Sequence, residues 1–205
     1  MTEKEQLQWG RDVISRAMEY ASFRWYPSER HILHGTDPAG RFVDTPDTTW
    51  TGETLQCGWW LPDQWNTGIP YGWGNGSTLE AFAEGLQQGK FAGNVPEDKS
   101  RYGSHYTVGV DCSGLLTVLW QLPKKIATRD IPLFADELED LSRIRQGDVF
   151  AKVGSHVMFF DAFDTSDMTR AFIIDSTRST GKVSRREVDL PALFAGGYRI
   201  FRKKE

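Results

Sequence analysis

Five short segments rich in β-branched and aromatic residues follow Gly147, and they limit the fold more than any other feature of the sequence. They read DVFAKV, SHVMFF, RAFIID, KVSRREV and YRIFR, and Gly, Ser, Thr and Asp separate them. A short helix is predicted only before the last segment, between Asp189 and the Gly196-Gly197 pair. Strands that follow one another without long crossovers pair antiparallel. The sequence therefore predicts one antiparallel sheet after Gly147.

Helices and loops are predicted before this sheet. Thr2 and Glu5 form a capping box ahead of an apolar face, which predicts an amphipathic helix over 3–22. Ser77 and Glu80 predict a second, shorter helix in the same way. The intervening segment is rich in Pro, Gly, Asp and Trp, which indicates loops. Helices first and strands after predict a single α+β domain over 1–205.

Composition excludes several classes of partner. The 205 residues carry a formal net charge of −4, which argues against a nucleic-acid surface. The basic clusters Lys124-Lys125, Arg185-Arg186 and Arg202–Lys204 are interpreted as solvated faces. No apolar run approaches the roughly 20 residues that span a bilayer. The N-terminus lacks the apolar core of a signal peptide, so we expect a cytoplasmic location, or export if a signal has been removed.

The chain has two cysteines, Cys57 and Cys112, and their settings differ. Cys112 lies in GVDCSGLLTVLW, directly after a helix-capping Asp111 and before helix-forming apolar residues. Unpaired amides at a helix N-terminus stabilise a thiolate, which is the nucleophilic form of cysteine. A zinc site that combines the cysteines with His31 and His34 has only a weak spacing signal, so neither metal nor cofactor is predicted.

A cysteine nucleophile needs a base, and His156 is the best candidate. It begins the segment HVMFF, and Asp175 lies on the next predicted strand, in AFIIDST. Alternation puts His156 and Met158 on one face of their strand, and Ile173 and Asp175 on one face of theirs. Asp175 could therefore fix the tautomer of the imidazole.

These segments resemble a known family. DCSGLL, LSRIRQGDVFAKVGSHVMFF, AFIIDST and IPYGWGNG are together similar to the NlpC-type papain-like cysteine peptidases of bacterial cell walls. The resemblance runs from about Ile69 to Phe201. It implies a papain-like fold in which a central antiparallel sheet packs against the helix of the nucleophile, with the N-terminal helices on its flank. It makes Cys112 the nucleophile, His156 the base and Asp175 the orienting residue. The substrate-binding residues would be Tyr71, Trp73, Asp111 and Ser113.

The chain departs from the family pattern in three respects. The orienting position is more often histidine than aspartate in the family. Residues 75–110 form an insertion that ordinary members lack, and 1–68 form an extension made of the first helix and the Trp-rich loop. No export signal and no wall-binding module are recognisable in the sequence.

The resemblance implies cleavage of an amide bond in peptidoglycan stem peptides or related fragments, of the γ-D-glutamyl type, through an acyl-enzyme. Two alternatives stay open. One is an amidase, thioesterase or acyltransferase that acts on another acyl group. The other is a non-catalytic module that binds glycan or peptide through stacking tryptophans at Trp59, Trp60, Trp65 and Trp73. The sequence indicates no oligomeric state.

Overall fold

A computed structural model describes residues 2–53, 58–96 and 103–204. The α-helices in these ranges are α1 (Glu3–Ser22), α2 (Leu79–Gln87), α3 (Cys112–Leu119), α4 (Ile131–Phe134) and α5 (Leu190–Ala195). The strands are β1 (Arg24–Trp25), β2 (His34–Thr36), β3 (Phe42–Asp44), β4 (Asn66–Thr67), β5 (Phe91–Ala92), β6 (Thr107–Val108), β7 (Ala135–Leu138), β8 (Val149–Lys152), β9 (His156–Phe163), β10 (Arg170–Thr177), β11 (Lys182–Asp189) and β12 (Arg199–Lys203). Over the ranges given, none of the helices combines the length and apolar character that a bilayer crossing requires.

The main sheet has six antiparallel strands in the order β11-β10-β9-β8-β12-β7. All five segments predicted after Gly147 are strands of this one sheet, so the α+β class and the antiparallel pairing are confirmed. The sixth strand, β7, was not predicted. Its sequence ADEL has no β pattern, and β12 supplies the pairing partner, with Ile200 opposite Leu138.

The two faces of the sheet belong to different apolar clusters. Alternation along β9 sends Val157 and Phe159 into the cluster that contains α1 and α3. Met158 and Phe160 enter a second cluster on the other face, which Leu190 of α5 joins. The helix that starts at Cys112 therefore packs against one face, while every second residue of β9 and β10 faces the other way.

The helix predicted over 3–22 is confirmed. The Thr2 amide donates to the Glu5 carboxylate at 2.7 Å, and the Glu5 amide donates to the Thr2 hydroxyl at 3.3 Å. The helix lies close to the strand that follows Gly147, because a Cβ added to Gly10 would lie 2.0 Å from the Gln146 carbonyl oxygen. Glycine at position 10 thus permits this contact between α1 and the main chain.

The second helix begins one residue later than predicted, because Thr78 and not Ser77 is its N-cap. The Thr78 hydroxyl accepts from the Ala81 amide at 3.1 Å and caps α2. Ser77 instead accepts from the Gly109 amide at 3.2 Å and fastens the helix entrance to the segment before α3. The predicted Ser77 and Glu80 capping box is therefore wrong, since the hydroxyl of Ser77 has a tertiary partner.

The Trp-rich loop is held by its own aromatic side chains. The ring of Trp25 contacts Trp59, Trp60 and Phe82 edge-on, with centroids 6.0, 5.4 and 5.3 Å apart. Trp60 is completely buried, whereas Trp65 is 60% exposed. Trp60 therefore cannot be a stacking platform for a ligand in this conformation. The boundaries of the 1–68 extension and the 75–110 insertion stay predictions.

Candidate active site

A cavity of about 480 Å³ opens at the N-terminus of α3. Cys112 and His156 both line it, as do all four residues of the predicted substrate-binding set. Asp175 lies behind His156 and does not line the cavity itself. The residues around the opening are Tyr71, Trp73, Gly74, Gly103, Asp111, Cys112, Ser113, Lys125, Ala127, Thr128, Gly154, Ser155, His156, Thr177 and Arg178.

Asp111 caps α3 and fixes the loop opposite it. Its Oδ1 accepts from the Gly114 amide at 2.6 Å and from the Ser113 hydroxyl at 2.9 Å. Its Oδ2 accepts from the Gly74 amide at 2.9 Å. The predicted N-cap is confirmed, and Cys112 is the first residue of the helix, with a half-buried free thiol.

The start of α3 is fastened to β10 through a neighbour of Asp175. The fully buried Ser176 donates its hydroxyl proton to the Val110 carbonyl at 2.7 Å. On the other side, a Cβ added to Gly114 would lie 2.0 Å from the Asn75 carbonyl oxygen. These contacts leave the helix N-terminus little room to move relative to the strand that carries Asp175.

His156 and Asp175 form a hydrogen-bonded pair on neighbouring strands. His156 Nε2 and Asp175 Oδ2 are 2.7 Å apart. The side chain of Asp175 is completely buried and that of His156 is 18% exposed. With Nε2 occupied, Nδ1 is the ring nitrogen left for a second partner.

Arg186 completes the surroundings of Asp175, and no pattern in the sequence indicates this role. Its Nε donates to Asp175 Oδ1 at 3.1 Å and its Nη2 donates to Oδ2 at 2.8 Å. Arg186 lies opposite Ile173 in the β10–β11 register, and Ile173 is on the same face of β10 as Asp175. The arginine, the carboxylate and the imidazole thus form a row across three adjacent strands.

The interpretation of the basic clusters as solvated faces is therefore wrong for Arg186, and also for Lys125. Lys125 Nζ donates to Asp111 Oδ2 at 3.0 Å and to the Ser113 hydroxyl at 3.3 Å. Each of these cations neutralises a buried carboxylate beside the cavity. Sequence pattern gives no signal for such pairs, because the partners are brought together only by folding.

The charges of the pair are set by competing effects. Burial lowers the pKa of His156, but the hydrogen bond with Asp175 and the negative charges of Asp175 and of the nearby Cys112 raise it to about 10. Burial raises the pKa of Asp175, but hydrogen bonds from His156 and Arg186 outweigh it and hold that pKa below its ordinary value. At neutral pH the pair is therefore an imidazolium and a carboxylate.

Tyr71 lies beside the thiol in the wall of the cavity. It is only 3% exposed, and burial raises its pKa well above the ordinary range. The negative charges of Asp111 and Cys112 act in the same direction, whereas the positive charge of Arg178 opposes them. The hydroxyl of Tyr71 is therefore a neutral hydrogen-bonding group near both Cys112 and Arg178.

No metal centre is found in the part of the chain that the structure describes. His31 is buried, and its Nε2 lies 2.9 Å from the Leu86 carbonyl oxygen. His34 is held between Asp44 and Asp47. Cys57, the other sulfur considered for a zinc site, lies outside the described residues.

No protein-family model, curated protein or solved structure matches this chain. The function has therefore to be inferred from the chemistry of the cavity itself.

Proposed function

We propose that the protein is a cysteine hydrolase of the NlpC-type papain-like class, and that it cleaves a γ-D-glutamyl amide bond in peptidoglycan stem peptides or related fragments. One observation carries this proposal. Cys112, at a helix N-terminus, and His156, already bonded to a buried carboxylate, line the same cavity. A nucleophile, a base and a group that orients the base are the parts that acyl transfer through cysteine requires.

The papain-like fold is part of the same proposal. An antiparallel sheet with α3 on one face, and with His156 at the beginning of a central strand, is the arrangement that the resemblance implies. The sequence motifs and this arrangement support the proposal independently, because the motifs are local and the packing is not.

In the acylation step, the Cys112 thiolate attacks the carbonyl carbon of the scissile amide and forms a C–S bond. The His156 imidazolium then gives its proton to the leaving nitrogen as the C–N bond breaks. The negative oxygen of the tetrahedral intermediate accepts hydrogen bonds from backbone amides at the start of α3, including that of Cys112. The products of this step are a thioester on Cys112 and a free amine.

In the deacylation step, neutral His156 takes a proton from water, and the oxygen of that water attacks the thioester carbon. The C–S bond breaks, the carboxylic acid leaves, and the Cys112 thiolate and His156 imidazolium are restored. Asp175 keeps Nε2 of the ring occupied throughout, so Nδ1 faces the reacting atoms. Arg186 holds both oxygens of Asp175 and prevents the carboxylate from rotating away.

The residues of the predicted substrate-binding set have different roles in this proposal. Asp111 and Ser113 are bonded to each other and to Lys125, so they build the wall of the cavity. Trp73 provides ring surface for the peptide, and the buried Tyr71 provides a hydroxyl group. The charged lining favours a polar peptide over a long apolar acyl chain, which makes the thioesterase alternative less suitable.

The test is incubation with a set of defined muropeptides, followed by mass measurement of the products and of the enzyme. We expect cleavage at a γ-D-glutamyl bond and a transient acyl adduct on the peptide that contains Cys112. Cys112→Ala, which keeps the cavity, is the matched control and should give neither. Absence of cleavage of every γ-D-glutamyl peptide, or cleavage by Cys112→Ala, would contradict the proposal.

A further inference from the structure

Arg178 lines the cavity and takes no part in the proposed acyl transfer. It follows the end of β10, three residues after Asp175 in the sequence. One guanidinium nitrogen, Nη2, donates to the Pro96 carbonyl. Within the described part of the chain, Nε is buried without a hydrogen-bond partner. The Pro96 contact fixes the side chain, and Nη1 forms no hydrogen bond within the described residues, so this nitrogen is the donor left for a ligand.

The other charged side chains in the wall of the cavity are already paired. Lys125 lies 3.0 Å from Asp111, and His156 lies 2.7 Å from Asp175. No carboxylate of residues 2–53, 58–96 or 103–204 forms an ion pair with Arg178. A half-buried guanidinium without a counter-charge is costly, so a ligand that brings an anion would gain a charge-assisted contact there.

Arg178 lies near the reacting atoms, because Arg178, Tyr71 and Cys112 line the same cavity. The positive charge of Arg178 lowers the pKa of Tyr71, and the negative charge of Cys112 raises the same pKa. Both charged groups therefore lie close to one phenol in the same wall. An anionic group that reaches Arg178 would belong to the part of the substrate next to the bond that Cys112 attacks.

We propose that Arg178 binds a carboxylate of the substrate and that the enzyme selects γ-glutamyl peptides whose α-carboxylate is free. This inference rests on the proposed function. A γ-linked glutamyl residue keeps its α-carboxylate beside the scissile bond, whereas an ordinary α-linked peptide has only a neutral amide at that place. Arginine is suited to this task because its planar donors match the two oxygens of a carboxylate.

The experiment compares two synthetic probes. One is the tripeptide L-alanyl-γ-D-glutamyl-L-lysine, and the other is the same tripeptide with an α-carboxamide instead of the D-glutamyl α-carboxylate. We expect the wild-type protein to cleave the acid with a kcat/KM about 10- to 100-fold above that of the amide, as the loss of a charged hydrogen bond implies. Equal kcat/KM values for the two probes would overturn the inference without any variant.

Variants identify the residue responsible. Arg178→Gln should bring the ratio of the two kcat/KM values close to one, by lowering only the value for the acid, and Arg178→Lys should keep part of the preference. Arg170→Gln is the matched control, because Arg170 begins the same strand and pairs with Glu187 outside the cavity. Retention of the wild-type preference in a folded Arg178→Gln would overturn the assignment to Arg178.

A binding measurement separates this inference from the proposed function. If the wild-type protein cleaves neither probe nor any other γ-D-glutamyl peptide, the proposed function fails, and calorimetric titration with the same two tripeptides still tests Arg178. Tighter binding of the acid, lost in Arg178→Gln and kept in Arg170→Gln, would support a carboxylate site. Equal affinity for acid and amide would overturn it.

Discussion

Two histidines of this protein lie against buried carboxylates, and their surroundings differ in one respect. His156 Nε2 is 2.7 Å from Asp175 Oδ2, and His34 Nδ1 is 2.5 Å from Asp44 Oδ1. The second nitrogen of His34 is also occupied, because its Nε2 lies 3.0 Å from the Thr49 hydroxyl and 3.1 Å from Asp47 Oδ2. Among the residues that the structure describes, the second nitrogen of His156 has no carboxylate partner, and its ring lines the cavity with Cys112.

The difference shows what separates a structural histidine from one that can move a proton. A ring with both nitrogens held by fixed protein groups has no free position at which to accept a proton from a substrate. A ring with one nitrogen bonded and the other facing a cavity is oriented and still available. A short His–Asp distance alone therefore says nothing about chemistry.

The His34 group nevertheless supports the cavity from a distance. Asp44 Oδ2 accepts from the Trp50 indole nitrogen at 2.6 Å. Trp50 belongs to a small apolar cluster with Tyr71 and Val95, against which Trp73 packs. One histidine group thus fixes the wall of the cavity and the other supplies its proposed chemistry.

The largest expected effect is a loss of kcat/KM that distinguishes His156 from His34. We expect His156→Gln and Cys112→Ala to lower kcat/KM by about 10⁴-fold or more, since each removes a reacting group. His34→Gln should change kcat/KM by less than about 10-fold and lower the melting temperature instead. Steady-state kinetics and thermal unfolding of the same preparations check this. A comparable loss of activity in His34→Gln would remove the distinction between the two groups.

The reactivity of the thiol gives a second large effect. Brief alkylation at neutral pH, followed by peptide mapping, should label Cys112 in preference to Cys57, because Cys112 lies at a helix N-terminus and lines the same cavity as the candidate base His156. The His156→Gln variant should lose this preference, whereas His34→Gln should keep it. Faster labelling of Cys57 in the wild-type protein would contradict the identification of the nucleophile.

The carboxylates offer the next comparison. Asp175→Asn can keep a hydrogen bond to the ring but loses the charge that stabilises the imidazolium, so we expect kcat/KM to fall by about 10²-fold. Asp47→Asn is the matched control on the His34 group and should lower the melting temperature with nearly normal kcat/KM. Full activity in Asp175→Asn would leave a Cys-His pair as the working site.

A smaller effect is expected from Arg186. The pKa of Asp175 in the folded protein lies below its ordinary value. The ionised carboxylate therefore stabilises the fold fully above the pKa of Asp175 in the unfolded chain, and this stabilisation is lost as pH falls through the pKa in the folded protein. Arg186→Gln removes one cause of that lowering, so the acid limb of kcat/KM should move to higher pH, with a loss of about 10-fold at neutral pH. Arg170→Gln should leave the pH profile unchanged. An unchanged acid limb in Arg186→Gln would show that the arginine has a purely structural role.

The smallest effect concerns the proton of His156. The pKa of His156 in the folded protein is about 10, above the ordinary 6.5. The protonated imidazole therefore stabilises the fold fully below about pH 6.5, and this stabilisation is lost as pH rises through about 10. Urea unfolding should therefore show a larger stability difference between wild type and His156→Gln at about pH 6 than above about pH 10. Cys112→Ala should lower the pKa of His156, as measured by NMR. A difference in stability that does not vary with pH would contradict the ion pair.

Several elements could be predicted from the sequence because their causes are local. The bounds of α1, the N-cap at Asp111 and the short α5 follow from capping side chains within a few residues of each helix start. The five strands after Gly147 follow from side-chain alternation, which has the same period wherever a strand lies. The His156–Asp175 contact was expected from the pairing of two adjacent strands, and the two side chains lie within hydrogen-bond distance.

Other features depended on partners far away in the sequence. The edge strand β7 exists because β12 offers an unpaired edge, and Ser77 lost its capping role to a contact with Gly109. Arg202, interpreted as solvated, forms two hydrogen bonds with the buried Asp148, at 2.9 and 2.7 Å. A buried carboxylate needs a counter-charge, but the sequence does not say which cation the fold will bring to it.

The sequence by itself determined the α+β class, the antiparallel sheet and a cysteine at the start of a helix, because propensity, capping and alternation act over a few residues. Tertiary structure alone decided that Arg186 bonds to Asp175, that Lys125 neutralises Asp111 and that Arg178 faces the cavity with no ion pair to any described carboxylate. The reason is physical: a charge interacts with whatever lies within a few ångströms after folding, and separation along the chain does not set that distance.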